Sequence, residues 1–210
     1  MIKITWLGHS CFRLECQGHS IVIDPYTGVP GYPELHVSAG LALKSHDHGD
    51  HSHLEAVTLL PETGDSPFVI HTIDCWHDDR QGALRGANKI TIFEANGTRV
   101  AHFGDIGESL SEETLESLKG LDAALIPVGG FYTIDGPQAS ELMKAIDPVI
   151  TVPMHYRCGN HGYNEISEVT AFTDQITDRP VILSDDSSLE IKSGKQERSV
   201  VILRCEEATA

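Results

Sequence analysis

Apolar and polar positions alternate from the first residues of the chain, with Ile2, Ile4 and Trp6 set against Lys3 and Thr5. Residues 2–7, 11–16 and 20–24 read as three short strands, broken by Gly8 and by Gln17-Gly18, the punctuation of hairpins. A loop holding Pro30, Gly31 and Pro33 follows. Residues 41–45 then read as a buried strand, 52–60 as a short helix and 67–71 as another strand. Asn96-Gly97 divides 88–95 from 98–103, a dipeptide suited to a two-residue hairpin loop. Ser111 and Glu113 announce a helix over 111–119, and 121–128 is a strand running into Gly129-Gly130. Asp135 and Gln138 form a capping-box pattern for a helix through Ile146. Residues 149–154 read as a strand, 166–177 as a helix, and 180–184, 188–192 and 200–204 as closing strands. Hairpins at both ends, with helices between strands, predict one α/β domain over residues 1–210, built as two mixed sheets with helices outside.

Composition narrows the function classes. A hydrophobic fraction of 40% with 22% charged residues is that of an ordinary folded domain. No apolar run reaches the eighteen residues that a spanning helix needs, and the strand-like start lacks the pattern of an export signal, so no membrane partner and a cytoplasmic location are expected. The formal charge of −16 repels a phosphate backbone and argues against nucleic acid. A small anionic substrate stays compatible with it if bound divalent cations offset the field locally. Oligomeric state leaves no mark in the pattern. The five cysteines are odd in number and form no CxxC pair, which excludes a disulfide framework or cysteine-rich zinc site and reads them as small buried hydrophobes.

The chemistry concentrates in Ser45-His46-Asp47-His48-Gly49-Asp50-His51, directly after an apolar strand. In extended chain, residues two apart face one side, so His46 and His48 project together and can share a metal. Gly49 permits a sharp turn, after which Asp50 and His51 can face a second metal. A histidine-rich surface loop is the bland reading, but four potential ligands within six residues at a strand's end outweigh it. Further ligand types stand at other predicted strand ends: His77 after 67–71, Asp105 in Gly104-Asp105, and His155 in Pro153-Met154-His155-Tyr156. Ligands presented at several strand ends can converge on one edge of a sheet sandwich.

The ordered set of HxHxDH at 46–51, His77, Gly104-Asp105 and His155, with Asp24 ending an early strand, resembles the metallo-β-lactamase superfamily. The phrases Leu7-Gly8-His9-Ser10, His77-Asp78, Pro127-Val128-Gly129-Gly130 and Pro153-Met154-His155-Tyr156 are similar to a narrower branch, the compact Zn-dependent hydrolases like L-ascorbate-6-phosphate lactonase. The resemblance implies a four-layer αββα sandwich with its site at one edge. It also implies two divalent ions, zinc first, with manganese or iron as alternatives. His46, His48 and His77 would hold the first ion, and Asp50, His51 and His155 the second. Asp105 would bridge both, while Asp24 would stand behind the ligands. His102, three residues before Asp105, reads from its position either as a second support behind the ligands or as a strand residue packed in the core.

Such a pair of ions lowers the pKa of bound water toward about 7, and Asp50 and Asp105 are the residues expected to take part in hydrolysis of a small ester, lactone or phosphodiester. His9 and Tyr132 are expected to contact that small-molecule substrate. Two alternatives keep the same residues: a metal-binding protein without turnover, and an iron-dependent redox or oxygenase enzyme.

Overall fold

The computed structural model describes residues 1–194 and 196–205. In chain order its strands begin β1 (Ile2–Gly8), β2 (Cys11–Cys16), β3 (His19–Ile23), β4 (Val37–Ala39), β5 (Leu41–Leu43), β6 (Val57–Leu59) and β7 (Val69–Trp76). They continue β8 (Ala87–Ala95), β9 (Thr98–His102), β10 (Ala123–Pro127), β11 (Ile150–Met154), β12 (Val181–Leu183), β13 (Ser188–Ile191) and β14 (Ser199–Ile202). The helices are α1 (Glu112–Ser117), α2 (Gly136–Ile146) and α3 (Thr170–Thr173).

Two mixed sheets face each other, as the sequence predicts. One has the order β13-β1-β2-β3-β5, the other β12-β14-β11-β10-β9-β8-β7. Two tight hairpins set the registers. Cys16 pairs with His19 across Gln17-Gly18, and Ala95 with Thr98 across Asn96-Gly97. All four loop residues have positive φ (49°, 84°, 52° and 74°), the left-handed pair that suits the twist of the flanking strands. In β1 alternate residues turn inward, whereas the parallel pair β10 and β11 is buried throughout, as expected of strands covered on both faces. One core joins the sheets, with Ile4, Phe12, Leu14 and Ile23 from the first meeting Ile90, Phe93, Leu125 and Val152 from the second.

The helical layer is thinner than the pattern predicts. α2 forms where its capping box lies, with Asp135 accepting from the Gln138 backbone N–H and the Gln138 side chain accepting from the Asp135 N–H. Its Ala139, Met143 and Ile146 face the core. The expected helix at 166–177 shrinks to the four residues of α3. The expected helix at 52–60 is one 3₁₀ turn, Leu54–Ala56, followed by β6, which pairs with β4 as a separate two-stranded ribbon. That ribbon and the loop through Val29 and Leu35 cover Cys11 and Val22 on the outer face of the five-stranded sheet. Strand β7 is longer than predicted and runs to Trp76; it lies at the sheet edge with mostly exposed residues, so burial leaves little alternation to read. Among the described residues no helix is long and apolar enough to cross a membrane.

Candidate metal centre

The functional residues leave the carboxyl ends of strands from both sheets. His9 follows β1, Asp24 follows β3, Ser45-His46 lies just beyond β5, His77 follows β7, Asp105 lies beyond β9 and His155 follows β11. Three of these, His9, Asp24 and His155, have positive φ (52°, 54° and 51°), an uncommon conformation for residues with a Cβ that persists only where the surroundings fix it. Here the surroundings do so by tying the sheets together. The His9 carbonyl accepts from the His155 N–H at 3.2 Å and from the Trp6 indole N–H at 2.9 Å. His102 Nε2 donates to the Ser10 carbonyl at 2.8 Å.

Gly104 lets the Asp105 turn pass close to the histidine loop. A Cβ there would stand 2.3 Å from Asn88 Oδ1 and 2.6 Å from Ser45 Cβ. Asn88 in turn accepts from the Asp105 N–H at 3.0 Å and donates to the Phe103 carbonyl at 2.9 Å, fixing the turn from the neighbouring strand.

The sequence-predicted residues converge. His46 Nε2, His48 Nδ1 and His77 Nε2 surround one point, with His46 Nε2 and His48 Nδ1 3.1 Å apart. Asp50, His51 and His155 surround a second, and His9 joins them. Asp105 Oδ2 lies between the sets, 3.3 Å from His77 Nε2, 3.1 Å from His51 Nε2, 3.2 Å from His155 Nε2 and 4.0 Å from His46 Nε2. Ligands of one tetrahedral zinc, at metal distances of 2.0–2.1 Å, stand roughly 3.3 Å apart, so these spacings fit shared ions. The buried Nε2 atoms of His51 and His155 and Oδ1 of Asp105 make no hydrogen bond, a costly state for buried polar atoms that a bound cation relieves.

Asp24 orients both sets. Its Oδ2 accepts from His51 Nδ1 at 2.8 Å and from the Ser45 hydroxyl at 2.6 Å, and Oδ1 accepts from the Ser45 N–H at 2.6 Å. The Ser45 oxygen then accepts from His46 Nδ1 at 2.9 Å. With Nδ1 of both rings committed as donors, the Nε2 lone pairs of His46 and His51 point into the cluster, the tautomer a metal requires. His102 stands behind the Asp105 turn. Nδ1 accepts from the Gly104 N–H at 3.1 Å and stands 3.9 Å from Asp24, so the ring props the turn before Asp105 without bonding to Asp24.

Electrostatics favours cation binding. Burial, reinforced by the positive charge of His51, pushes His46 down to about 3, and burial with His155 pushes His9 down to about 4, so both rings are neutral at physiological pH. His48 is lowered by burial and His77. For His51 burial is outweighed by Asp105 and Asp24, which hold a second proton on the ring well above the usual range. Burial likewise fails to neutralise Asp105, which His155 and His51 keep ionised.

A cavity of about 270 Å³ opens above the cluster, with His48, Asp50, His77 and Asp105 on its floor and Arg85, Tyr132 and Tyr163 on its walls. Tyr132 is where a substrate contact is expected. His9 is not on the wall: it is fully buried, with Nε2 3.3 Å from Asp50 Oδ2 and its ring centroid 4.1 Å from that of His155. Four contributors go unmarked in the pattern: Ser45 in its relay role, Asn88, Arg85 and Tyr163. Only Ser45 carries a signal, its position between an apolar strand and the first histidine.

A family model described as a beta-lactamase superfamily domain matches residues 3–155. A UPF0173 metal-dependent hydrolase of Desulforamulus reducens is 30% identical, over 74% of this chain and 84% of the relative. A crystal structure from Thermotoga maritima, named as a Zn-dependent hydrolase of the metallo-β-lactamase superfamily, superposes with a TM-score of 0.71 at 27% identity, covering 97% of this chain and 99% of that one. A metallo hydrolase from Ignicoccus hospitalis shares the fold at a TM-score of 0.60 and 22% identity, covering 79% of this chain and 85% of that one. With its ligand types at the strand ends and most of its length matched by the family model, the chain belongs to the β-lactamase superfamily.

Proposed function

We propose that this protein, a metal-dependent hydrolase, holds two divalent ions, zinc in the first place, and cleaves a small ester, lactone or phosphodiester. The observation that carries the reading is the position of Asp105 Oδ2, within 3.1–3.3 Å of imidazole nitrogens from both ligand sets. His46, His48 and His77 would hold one ion, Asp50, His51 and His155 the other, and Asp105 both. Nitrogen and carboxylate donors without thiolate suit zinc. Ions held there would supply Lewis acidity, lowering the pKa of water toward neutrality and offsetting negative charge on a substrate oxygen.

The chain's own groups do the rest. Asp50 is kept ionised because the hydrogen bond from His9 and the charge of His51 outweigh burial, and its place in the cavity lining is what puts a carboxylate within reach of a proton released there. His9, which backs Asp50 from the buried side, orients that carboxylate. Tyr132 and Tyr163 narrow the cavity and limit the water that reaches the floor. Two neighbours are named metal-dependent or Zn-dependent hydrolases, which agrees with this chemistry.

The test combines metal analysis with turnover. Protein purified from a zinc-supplemented culture should carry two ions per chain and hydrolyse at least one member of a panel of lactones, aryl esters and bis-aryl phosphodiesters. Asp105→Ala should lose both properties. A chain that binds two ions yet turns over nothing in the panel would point to metal binding without catalysis, and purified protein rich in iron with visible absorbance to redox chemistry.

A further inference from the structure

We propose that the substrate carries an oxyanion, a carboxylate or phosphate, which Arg85 receives beside the scissile bond. The inference rests on the hydrolase reading above and names the substrate class of the same site.

Arg85 is the one Lys or Arg among the residues lining the cavity over the metal cluster, and it makes no ion pair among the described residues. The Lys residues nearby are already neutralised. A second groove of about 280 Å³ shares His48 and Arg85 with the cavity and adds Lys44 and Lys89, but Lys44 is paired with Asp47 and Lys89 with Asp74. In a chain of formal charge −16, an unpaired guanidinium between two cavities is a focus for anions.

Its placement is built. Asp78 is buried and accepts four backbone N–H bonds: from Arg80 and Gly82 at 2.8 and 3.0 Å on Oδ1, and from Leu84 and Arg85 at 2.9 and 2.7 Å on Oδ2. The loop after His77 is folded around that carboxylate, and the His77 N–H closes it by donating to the Gly86 carbonyl at 3.1 Å. The guanidinium is then steadied from above by one Nη2 bond to the Phe131 carbonyl at 2.9 Å and by the Tyr132 ring, whose centroid lies 5.7 Å from Cζ. One of five N–H donors is used, which leaves the planar fork free for a carboxylate or phosphate.

Tyr163 faces the same space from the opposite wall, its ring centroid 5.7 Å from that of Tyr132. At about 270 Å³ the cavity lies just below the ~300 Å³ at which pockets for drug-sized ligands begin, so the anion belongs to a small molecule.

The experiment compares wild type, Arg85→Ala and Arg85→Lys as metal-loaded protein, using a neutral lactone, a carboxylate-bearing lactone and a phosphate-bearing lactone. Wild type should favour one anionic lactone over the neutral one by about tenfold or more in kcat/KM, the preferred one identifying the anion. Arg85→Ala should raise KM for that substrate by about 10- to 100-fold, well beyond any change for the neutral lactone, with Arg85→Lys between them. A second arm reads inorganic phosphate and acetate binding by calorimetry, where Arg85→Ala should weaken the preferred anion by about tenfold. Equal turnover of all three lactones, unaltered by either substitution, would overturn the anion inference while the hydrolase stands. Absence of all turnover with an Arg85-dependent anion affinity would uphold the anion site and sink the hydrolase. Matching melting temperatures of the three proteins exclude misfolding as the source of any loss.

Discussion

The two ligand sets differ most in their access to water. His48, in the first set, is exposed and lies on the cavity floor, whereas His51, His155 and the adjoining His9 are fully buried. The buried set also holds more of the unpartnered polar atoms, with His51 Nε2 and both ring nitrogens of His155 unbonded. Under the proposed two-ion reading, the contrast gives one centre two purposes. The buried set is an interior charge problem that a cation solves, so it favours retention. The first set stays reachable by solvent through His48, so it favours exchange.

The largest effect expected is on the group the two sets share. Asp105→Ala should lower turnover by about a thousandfold or more and reduce bound metal below one ion per chain. An Asp105→Ala protein with two tightly held ions would show that the sets are independent. Next comes the shared orienting group. Asp24→Asn should weaken metal binding at both sets by about 10- to 100-fold in chelator competition, while Ser45→Ala, which removes the hydroxyl's bonds to His46 and Asp24 but leaves the Asp24–His51 bond, should weaken the first set more than the second. Equal losses from both changes would break the proposed division of labour.

A smaller effect separates the sets kinetically. A chromogenic chelator should strip the metal in two phases, one ion leaving faster, and His48→Ala should abolish the fast phase without altering the slow one. A single phase would erase the distinction between open and buried sites. The smallest effect is on the metal-free fold. His46 and His9 have folded-state values of about 3 and about 4, below their unfolded value of 6.5, so the unfolded chain binds more protons between those limits. Stability should therefore fall as pH drops from about 6.5 toward 4, with His48 and His102, also lowered, adding to the loss. His51, raised, opposes it, because its proton is bound more tightly in the folded state. Urea midpoints of chelator-treated protein across this range measure the net; a rise on acidification would give His51 the larger share.

Much of this architecture is legible in the order of residues because its signals are local. HxHxDH after an apolar strand, Gly104-Asp105 after a hairpin and the Asp135–Gln138 cap all work over a few neighbouring positions, and each stands where the pattern places it. Where expectation and structure part, a distant partner decides. Val57–Leu59 becomes a strand because Val37–Ala39 lies beside it, although nothing within 52–60 announces that neighbour. Arg85 reaches the cavity because Asp78 ties the loop and Tyr132 arrives from another strand's end. The inward position of His9 depends on its carbonyl meeting the His155 N–H across the sheets. Such meetings are products of the assembled fold, and a single stretch of chain does not encode them.

The knot around Asp78 has a consequence for diversification. It pins the backbone of residues 80, 82, 84 and 85 without using their side chains, and it begins one residue after a predicted metal ligand. The side chains at 80, 84 and 85 can therefore be exchanged while His77 stays anchored through its own backbone; Gly82 is the exception, because a Cβ there would stand 2.6 Å from the Trp76 ring. A related enzyme could acquire a different appetite by rewriting a handful of letters in this bracket, leaving its chemical engine untouched.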